Sequence, residues 1–235
     1  MSSKTTALGA LEPALQSTGK ADVGGRPIGA GIAGVGRPYR GLTPDERRAA
    51  RRQRLLDAGL TSFGTVGYGA TTIERLCSDA GVTPRHFYDE FPSREALLAA
   101  VYDDAIRFTR EATRAALAAT QDPGSRTRAA IEGFVHAMCD DPRRARVLCI
   151  EGVRISAEFE RHRRQVIQTF ATLMEARARR HAVSDGVTQP RFRPMVLLGV
   201  VHELVIEWVL SADPPPIEQL IDELAEIWIA ACQPV

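Results

Sequence analysis

Lysine is nearly missing from this chain: only Lys4 and Lys20 stand among 30 basic residues, so 28 are arginine. A bias of that kind follows from a GC-rich genome as readily as from function, and it carries no functional weight here. A surplus of one charge is missing too. Thirty basic against 29 acidic residues leave a net charge of +1, which excludes a global pull toward polyanions and confines any basic footprint to a local patch. No run reaches the roughly 18 apolar residues of a membrane span. The opening MSSKTTALGALEPALQSTGK has no continuous apolar stretch of the kind a signal peptide needs, so the expectation is a cytoplasmic protein with no membrane partner. The four cysteines, Cys77, Cys139, Cys149 and Cys232, never pair as C-x-x-C, and each sits among apolar residues on a helical pattern. That spacing argues against a zinc site or a disulfide framework and for reduced, buried thiols. No alternating strand pattern of useful length and no internal repeat is found.

What is present is helical periodicity, beginning abruptly. Residues 1–36 are rich in Gly, Ala, Ser and Thr and include IGAGIAGVG. Such a tract buries too little apolar area to offset its ordering entropy and is expected to be a flexible extension. Its GAGIAG has neither a strand before it nor an amphipathic helix after it, so a dinucleotide-binding loop is rejected. From residue 43 the chain reads TPDERRAARRQRLLDAGLTSFG, with Thr43 as N-cap, Pro44 at the first helical position and Glu46 closing a capping box. Leu55, Leu56, Gly59, Leu60 and Phe63 form the apolar stripe of this first helix. TTIERLCSDAG predicts a second, with Thr71 as cap; Thr83-Pro84 restarts a third, and Pro92-Ser93 separates it from a fourth. Further helices are expected over 94–119, 125–140, 155–182, 194–211 and 216–232. The fold class is therefore all-α. A small N-terminal module would be followed by a larger C-terminal helical bundle.

The pair of short helices at 71–80 and 83–91 carries the functional signal. Two helices can cross steeply through Gly81 only if a small residue sits at their contact and the turn takes a left-handed backbone. Cys77 supplies the small contact, Gly81 the turn, and Val82 with Phe87 the apolar plugs. Around them, TTIERLCSDAGVTPRHFYDEFPSREALLAAVYDD closely resembles the DNA-binding signature of the TetR/AcrR family of transcriptional regulators. The matching features are Thr71-Thr72, the Ala80-Gly81-Val82 turn, Phe87-Tyr88, and the run from Phe91 through Ser93-Arg94-Glu95 to Leu97. The resemblance covers about residues 44–102, including the LLDAGLTSFGTVGYG upstream.

The resemblance implies that Thr72 holds a phosphate, that Thr83, Pro84, Arg85 and His86 form the exposed start of the recognition helix, and that Tyr88 and Arg94 touch the DNA backbone. Helix N-termini with unbonded N–H groups suit that task. Arg85 is the candidate for a bidentate guanine contact, against the plainer reading of a solvated side chain. Residues 37–54 hold seven arginines against Asp45 and Glu46, a local excess of +5. Arg37 and Arg40 precede the Thr43 cap and could reach a minor groove as an arm. Arg47 and its neighbours to Arg54 are either phosphate contacts or a solvated face with i,i+4 partners. The expected division is a flexible extension over 1–36 and, as the resemblance implies, an N-terminal three-helix helix-turn-helix DNA-binding domain with its basic arm over 37–92 and a C-terminal helical ligand-binding and dimerisation domain over 93–235.

In the larger part, MVLLGVVHELVIEWVL (195–210) is apolar nearly all round and must be covered on more than one side. With the stripe at 217–228 it could build a four-helix interface in a two-fold homodimer. Gly199, His202, Glu203, Ile206, Leu220, Leu224, Ile227 and Trp228 are the candidate interface residues. On the helices that line the family's ligand pocket lie Phe134, Met138, Val147, Cys149, Glu151, Phe159, Phe170 and Met174, a set pointing to a largely apolar small-molecule inducer or, equally, to ordinary core packing. The polar residues His136, Glu151, His202, Glu203 and Glu207 could line a pocket, hold a metal or satisfy buried partners, and no H-x-x-x-H pair favours the metal.

The expected function is thus a ligand-responsive regulator, most simply a repressor that binds double-stranded operator DNA. No cofactor is called for. Nucleophile–base pairs, phosphate loops and metal clusters are missing, which argues against an enzyme. The alternative is a helical protein-interaction module, and Asp89-Glu90 is its only sequence support.

Overall fold

The computed structural model of the chain describes residues 43–122, 125–152, 155–168 and 193–232. Among these residues the fold is all helical: nine α-helices, one π-helical turn and no strand. Helix α1 spans Pro44–Thr65, α2 Ile73–Ala80, α3 Pro84–Glu90 and α4 Arg94–Ala119. Helix α5 spans Arg126–Cys139 and α6 Pro142–Arg146, and the π turn is Val147–Glu151. Helix α7 begins at residue 157 and is described to 168; α8 is Arg193–Leu210 and α9 Ile217–Cys232. The extension at 1–36, Arg37, Arg40, Phe170, Met174 and the second half of the helix expected over 155–182 lie outside the described residues.

Helix α1 starts as its sequence predicts. The Thr43 hydroxyl accepts from the Glu46 N–H at 3.2 Å, and the Glu46 carboxylate accepts from the Thr43 N–H at 2.6 Å. Those reciprocal bonds satisfy two of the end's orphan donors and hold the Glu46 carboxyl below its usual range. The second helix departs from expectation by one residue. Its cap is Thr72, whose hydroxyl accepts from the Arg75 N–H at 3.2 Å. Thr71 is fully buried and donates its hydroxyl to the Gly67 carbonyl at 2.8 Å. A side chain drawn into the core cannot also turn back over the first helical turn, so the helix starts one position later.

One continuous hydrophobic cluster joins Leu55, Phe63, Leu76, Phe87 and Leu97 of the first four helices to Val135, Met138, Val147, Phe159, Val205, Ile221 and Trp228. Helix α4 is its axis, packed on α1 at one end and along α5 at the other. The small helices meet the larger part at two close points. A Cβ on Gly64 would stand 2.5 Å from the Arg143 Cβ and 2.7 Å from its Cα, so only glycine lets α1 lie this close to α6. The Arg143 guanidinium donates to the Thr61 hydroxyl at 3.1 Å while Asp141 holds it from behind at 2.8 Å. Cys77, Cys139 and Cys149 are buried free thiols, and burial pushes Cys139 and Cys149 each to about 12.

Candidate nucleic-acid interface

The turn between α2 and α3 decides how the two helices are presented. Gly81 adopts φ 61°, ψ 43°, the left-handed region that costs glycine nothing. Its N–H and that of Val82 close back on the end of α2, with Val82 N–H bonded to the Cys77 carbonyl at 2.9 Å, as a helix-ending left-handed cap does. Phe87 is wholly buried and Val82 packs half-buried on the same cluster. At the start of α3 the Thr83 hydroxyl accepts from the His86 N–H at 3.3 Å. That bond uses a lone pair and leaves the hydroxyl proton available to an outside acceptor.

Most of the predicted contacting side chains are open to solvent. Thr72, Thr83, Pro84 and Arg85 are exposed, His86 is half-buried, and Tyr88 is 57% exposed with its ring edge-on to Phe87. Arg47 is exposed near the start of α1. Arg94 is the exception. Its guanidinium donates to the Thr71 carbonyl and lies 4.1 Å over the Tyr68 ring. It braces the loop before α2, and that internal work differs from the direct phosphate contact its motif implied.

The opposite end of α3 accounts for Glu90 of the acidic pair. Glu90 lies under α1, its side chain only 1% exposed, paired with Arg48 at 3.2 Å and Arg51 at 3.4 Å. Arg52 donates to the Glu90 carbonyl at 3.4 Å and stacks 4.3 Å over the Phe91 ring. Arg54 donates to the Ala80 carbonyl at 2.9 Å, closing the C-terminus of α2, where a cation also complements the helix dipole. Four arginines of α1 therefore have partners inside the module, a role beside the phosphate contact or solvated face that their run allowed. The sequence signal that could have found this is charge complementarity: an arginine cluster on one short helix and an isolated carboxylate at the end of another.

A helix-turn-helix with these capped and exposed first turns is a DNA-reading geometry, and the comparisons decide whose. Residues 55–101 match the profile described as "Bacterial regulatory proteins, tetR family". Residues 55–101 thus carry a DNA-binding module of the TetR-family type. Among similar proteins is the HTH-type transcriptional regulator EthR of Mycolicibacterium smegmatis, 27% identical over 79% of this chain and 85% of that protein. The fold is that of FadR, the fatty acid degradation regulator of Bacillus halodurans (TM-score 0.66, 16% identity, 79% of this chain and 97% of that one). It is likewise that of Bacillus subtilis FadR in complex with stearoyl-CoA (TM-score 0.65, 15% identity, 76% and 98%). Members of this family are non-enzymatic DNA-binding regulators.

The other expected residues divide by burial. Met138, Val147, Cys149 and Phe159 are buried and Phe134 half-buried in the shared cluster, with the Phe159 ring edge-on to Tyr102 at 5.7 Å. Glu151, expected to line the pocket, faces the other way: one carboxylate oxygen accepts from the Tyr68 N–H at 2.8 Å, the other pairs with Arg146 at 3.2 Å. Leu220, Leu224 and Trp228, expected at a subunit interface, are instead buried within the chain at 6% exposure or less. A helix turns one stripe toward one neighbour, and that stripe of α9 is taken by α5 and α8. Gly199, Glu203 and Ile227 remain exposed and His202 and Ile206 half-buried. Beside them Val196, Leu210 and Ile229 are exposed apolar side chains that periodicity alone did not single out. Among the described residues no helix is long and apolar enough to cross a membrane, and no cluster of His, Cys, Asp and Glu could hold a metal.

Proposed function

We propose that this TetR-family regulator is a repressor that binds a palindromic operator as a homodimer and leaves it when a largely apolar small molecule binds the C-terminal half. The observation that carries the reading is the polarity of α3. Its first turn presents Thr83, Pro84 and Arg85 to solvent, while its last turn is anchored under α1 through Glu90. A recognition helix needs that arrangement, because base-edge contacts gain specificity only from a rigidly held helix end. The exposed apolar side chains of α8 and α9, Val196, Leu210, Ile227 and Ile229, support a two-fold partner. Two recognition helices would then lie about 34 Å apart, one turn of the duplex. The buried apolar residues on α5, the π turn and α7 support an apolar inducer, as does the acyl-CoA held by the structural neighbour from Bacillus subtilis. Release would follow from a shift between DNA-competent and incompetent populations. Function in the cytoplasm, where such DNA is found, belongs to the same proposal.

The protein-module alternative loses most of its basis, since Glu90 is an internal ion-pair partner. A gel-shift titration tests the proposal, using duplexes that the full chain selects from genomic DNA, at several salt concentrations. The expected result is a discrete, salt-sensitive complex that dissolves when a long-chain acyl ligand is added. Absence of any shift sinks the DNA-binding reading; a shift that such ligands leave unchanged sinks the inducer class.

A further inference from the structure

The loop between α1 and α2 is held from outside the helix-turn-helix. Glu151 closes the π turn, where the Gly152 N–H reaches back five residues to the Val147 carbonyl at 3.2 Å. A π turn inserts one residue into the helical path and rotates the residues after it by about 100° relative to an α-helix. Here it aims a largely buried carboxylate, 13% exposed, at the loop. Gly67 takes φ +90°, and a Cβ there would stand 3.1–3.2 Å from the two Glu151 oxygens, so the loop gives the carboxylate its seat. The Tyr68 N–H donates to it, the Tyr68 ring lies under Arg94, and Arg94 donates to the Thr71 carbonyl. The next residue is Thr72, the cap of α2. Thr71 is pinned besides by its hydroxyl bond to Gly67. Every link from Glu151 to the first turn of α2 is therefore a named contact.

We infer that Glu151, about fifty residues beyond the region matched to the DNA-binding family, is a positioning residue for DNA binding: its carboxylate sets the loop that places Thr72 and the α2 N-terminus against the phosphate backbone. The inference rests on the DNA-binding reading above. Its chemistry is acceptor reach. A glutamine at 151 keeps an oxygen for the Tyr68 N–H, whereas an aspartate keeps the charge toward Arg146 but is one methylene too short.

The test uses the full chain and one duplex selected by the unaltered protein, with affinity measured at four salt concentrations for Glu151→Gln, Glu151→Asp, Glu151→Ala, Thr72→Ala and the Glu151→Ala/Thr72→Ala double variant. Active protein is counted by stoichiometric titration, so that lost stability is separated from lost affinity. Glu151→Ala and Glu151→Asp are expected to bind roughly tenfold more weakly, at an unchanged salt slope, because the Thr72 hydroxyl and the N–H groups at the start of α2 carry no net charge. Glu151→Gln stays within about threefold of the unaltered chain. The double variant binds no more weakly than the weaker single, because both changes remove the same phosphate contact. Unchanged affinity in Glu151→Ala and Glu151→Asp overturns the inference. So does additivity with Thr72→Ala. If Glu151→Ala yields no active protein, the opposed outcomes for Gln and Asp decide alone. Failure of the unaltered chain to select any duplex refutes the DNA-binding reading instead, and this inference with it.

Discussion

Helices α1, α2, α3 and α4 each start on a hydroxyl cap, from Thr43, Thr72, Thr83 and Ser93, accepting the third N–H of its helix at 3.1–3.3 Å. Helix α5 starts on Ser125 with no side-chain cap bond. Helix α6 starts on Asp141, whose carboxylate is shared with the Arg143 side chain. The DNA-binding module and the helix that leads out of it are thus delimited by local chemistry, with their ends written into single residues. The half behind it is delimited by packing: α4 against α5, α9 against α5 and α8, and ion pairs such as Arg128 with Asp222 across α5 and α9. The difference suits the division of labour. Under the proposed function, a recognition surface must keep the same shape, while a half that senses a ligand must be able to repack.

The seam between the halves is where the contrast breaks first. Gly64→Ala would drive a methyl into the Arg143 backbone, whose atoms cannot rotate away. A loss of about 3 kcal/mol is expected, read as a Tm roughly 10 °C lower. Arg85→Ala should leave stability and oligomeric state unchanged, because its side chain is exposed. It should cost about 1–3 kcal/mol of discrimination between a selected operator and its mutated forms; equal preference loss at no position would remove Arg85 from base reading. Glu90→Gln leaves Arg48 and Arg51 without their carboxylate. A denaturation midpoint shift equivalent to about 1–2 kcal/mol is expected. Unchanged stability would return those arginines to the DNA-facing account.

Capping itself separates the halves more finely. Ser93→Ala should cost about 1 kcal/mol, and Ser125→Ala less than about 0.5 kcal/mol, both by urea titration; equal costs would dissolve the comparison. The smallest effect concerns acid stability. Bonds from Arg143 hold the Asp141 carboxyl below its usual 3.8. Its contribution is full above that value and is lost as the pH falls through the depressed folded value. Asp141→Asn should therefore unfold more readily at neutral pH, by under about 1 kcal/mol, and converge with the unaltered chain in acid. A constant gap down to the lowest pH would assign Asp141 a role that does not depend on its charge.

Much of the DNA-binding half was legible from residues alone, since caps, the left-handed Gly81 and the apolar plugs Val82 and Phe87 are local rules acting over three to six positions. The shift of the α2 cap from Thr71 to Thr72 was not, because a threonine beside a threonine offers two equivalent caps until one is drawn into the core by Gly67. Periodicity along α9 showed that a stripe would be buried but not against what, so Leu220, Leu224 and Trp228 were placed at a subunit interface when the chain's own helices cover them.

By itself, then, the sequence determined an all-α chain with a helix-turn-helix whose turns and caps are encoded within a few residues of one another. Only the tertiary structure decided where the arginines of α1 go, which way Glu151 points, and which apolar faces stay open. Those outcomes depend on contacts between residues separated by about forty to eighty positions, such as Arg48 with Glu90 and Tyr68 with Glu151. A short-range pattern cannot specify the partner in such a contact, because charge and hydrophobicity attract without naming an address until the backbone brings two surfaces together.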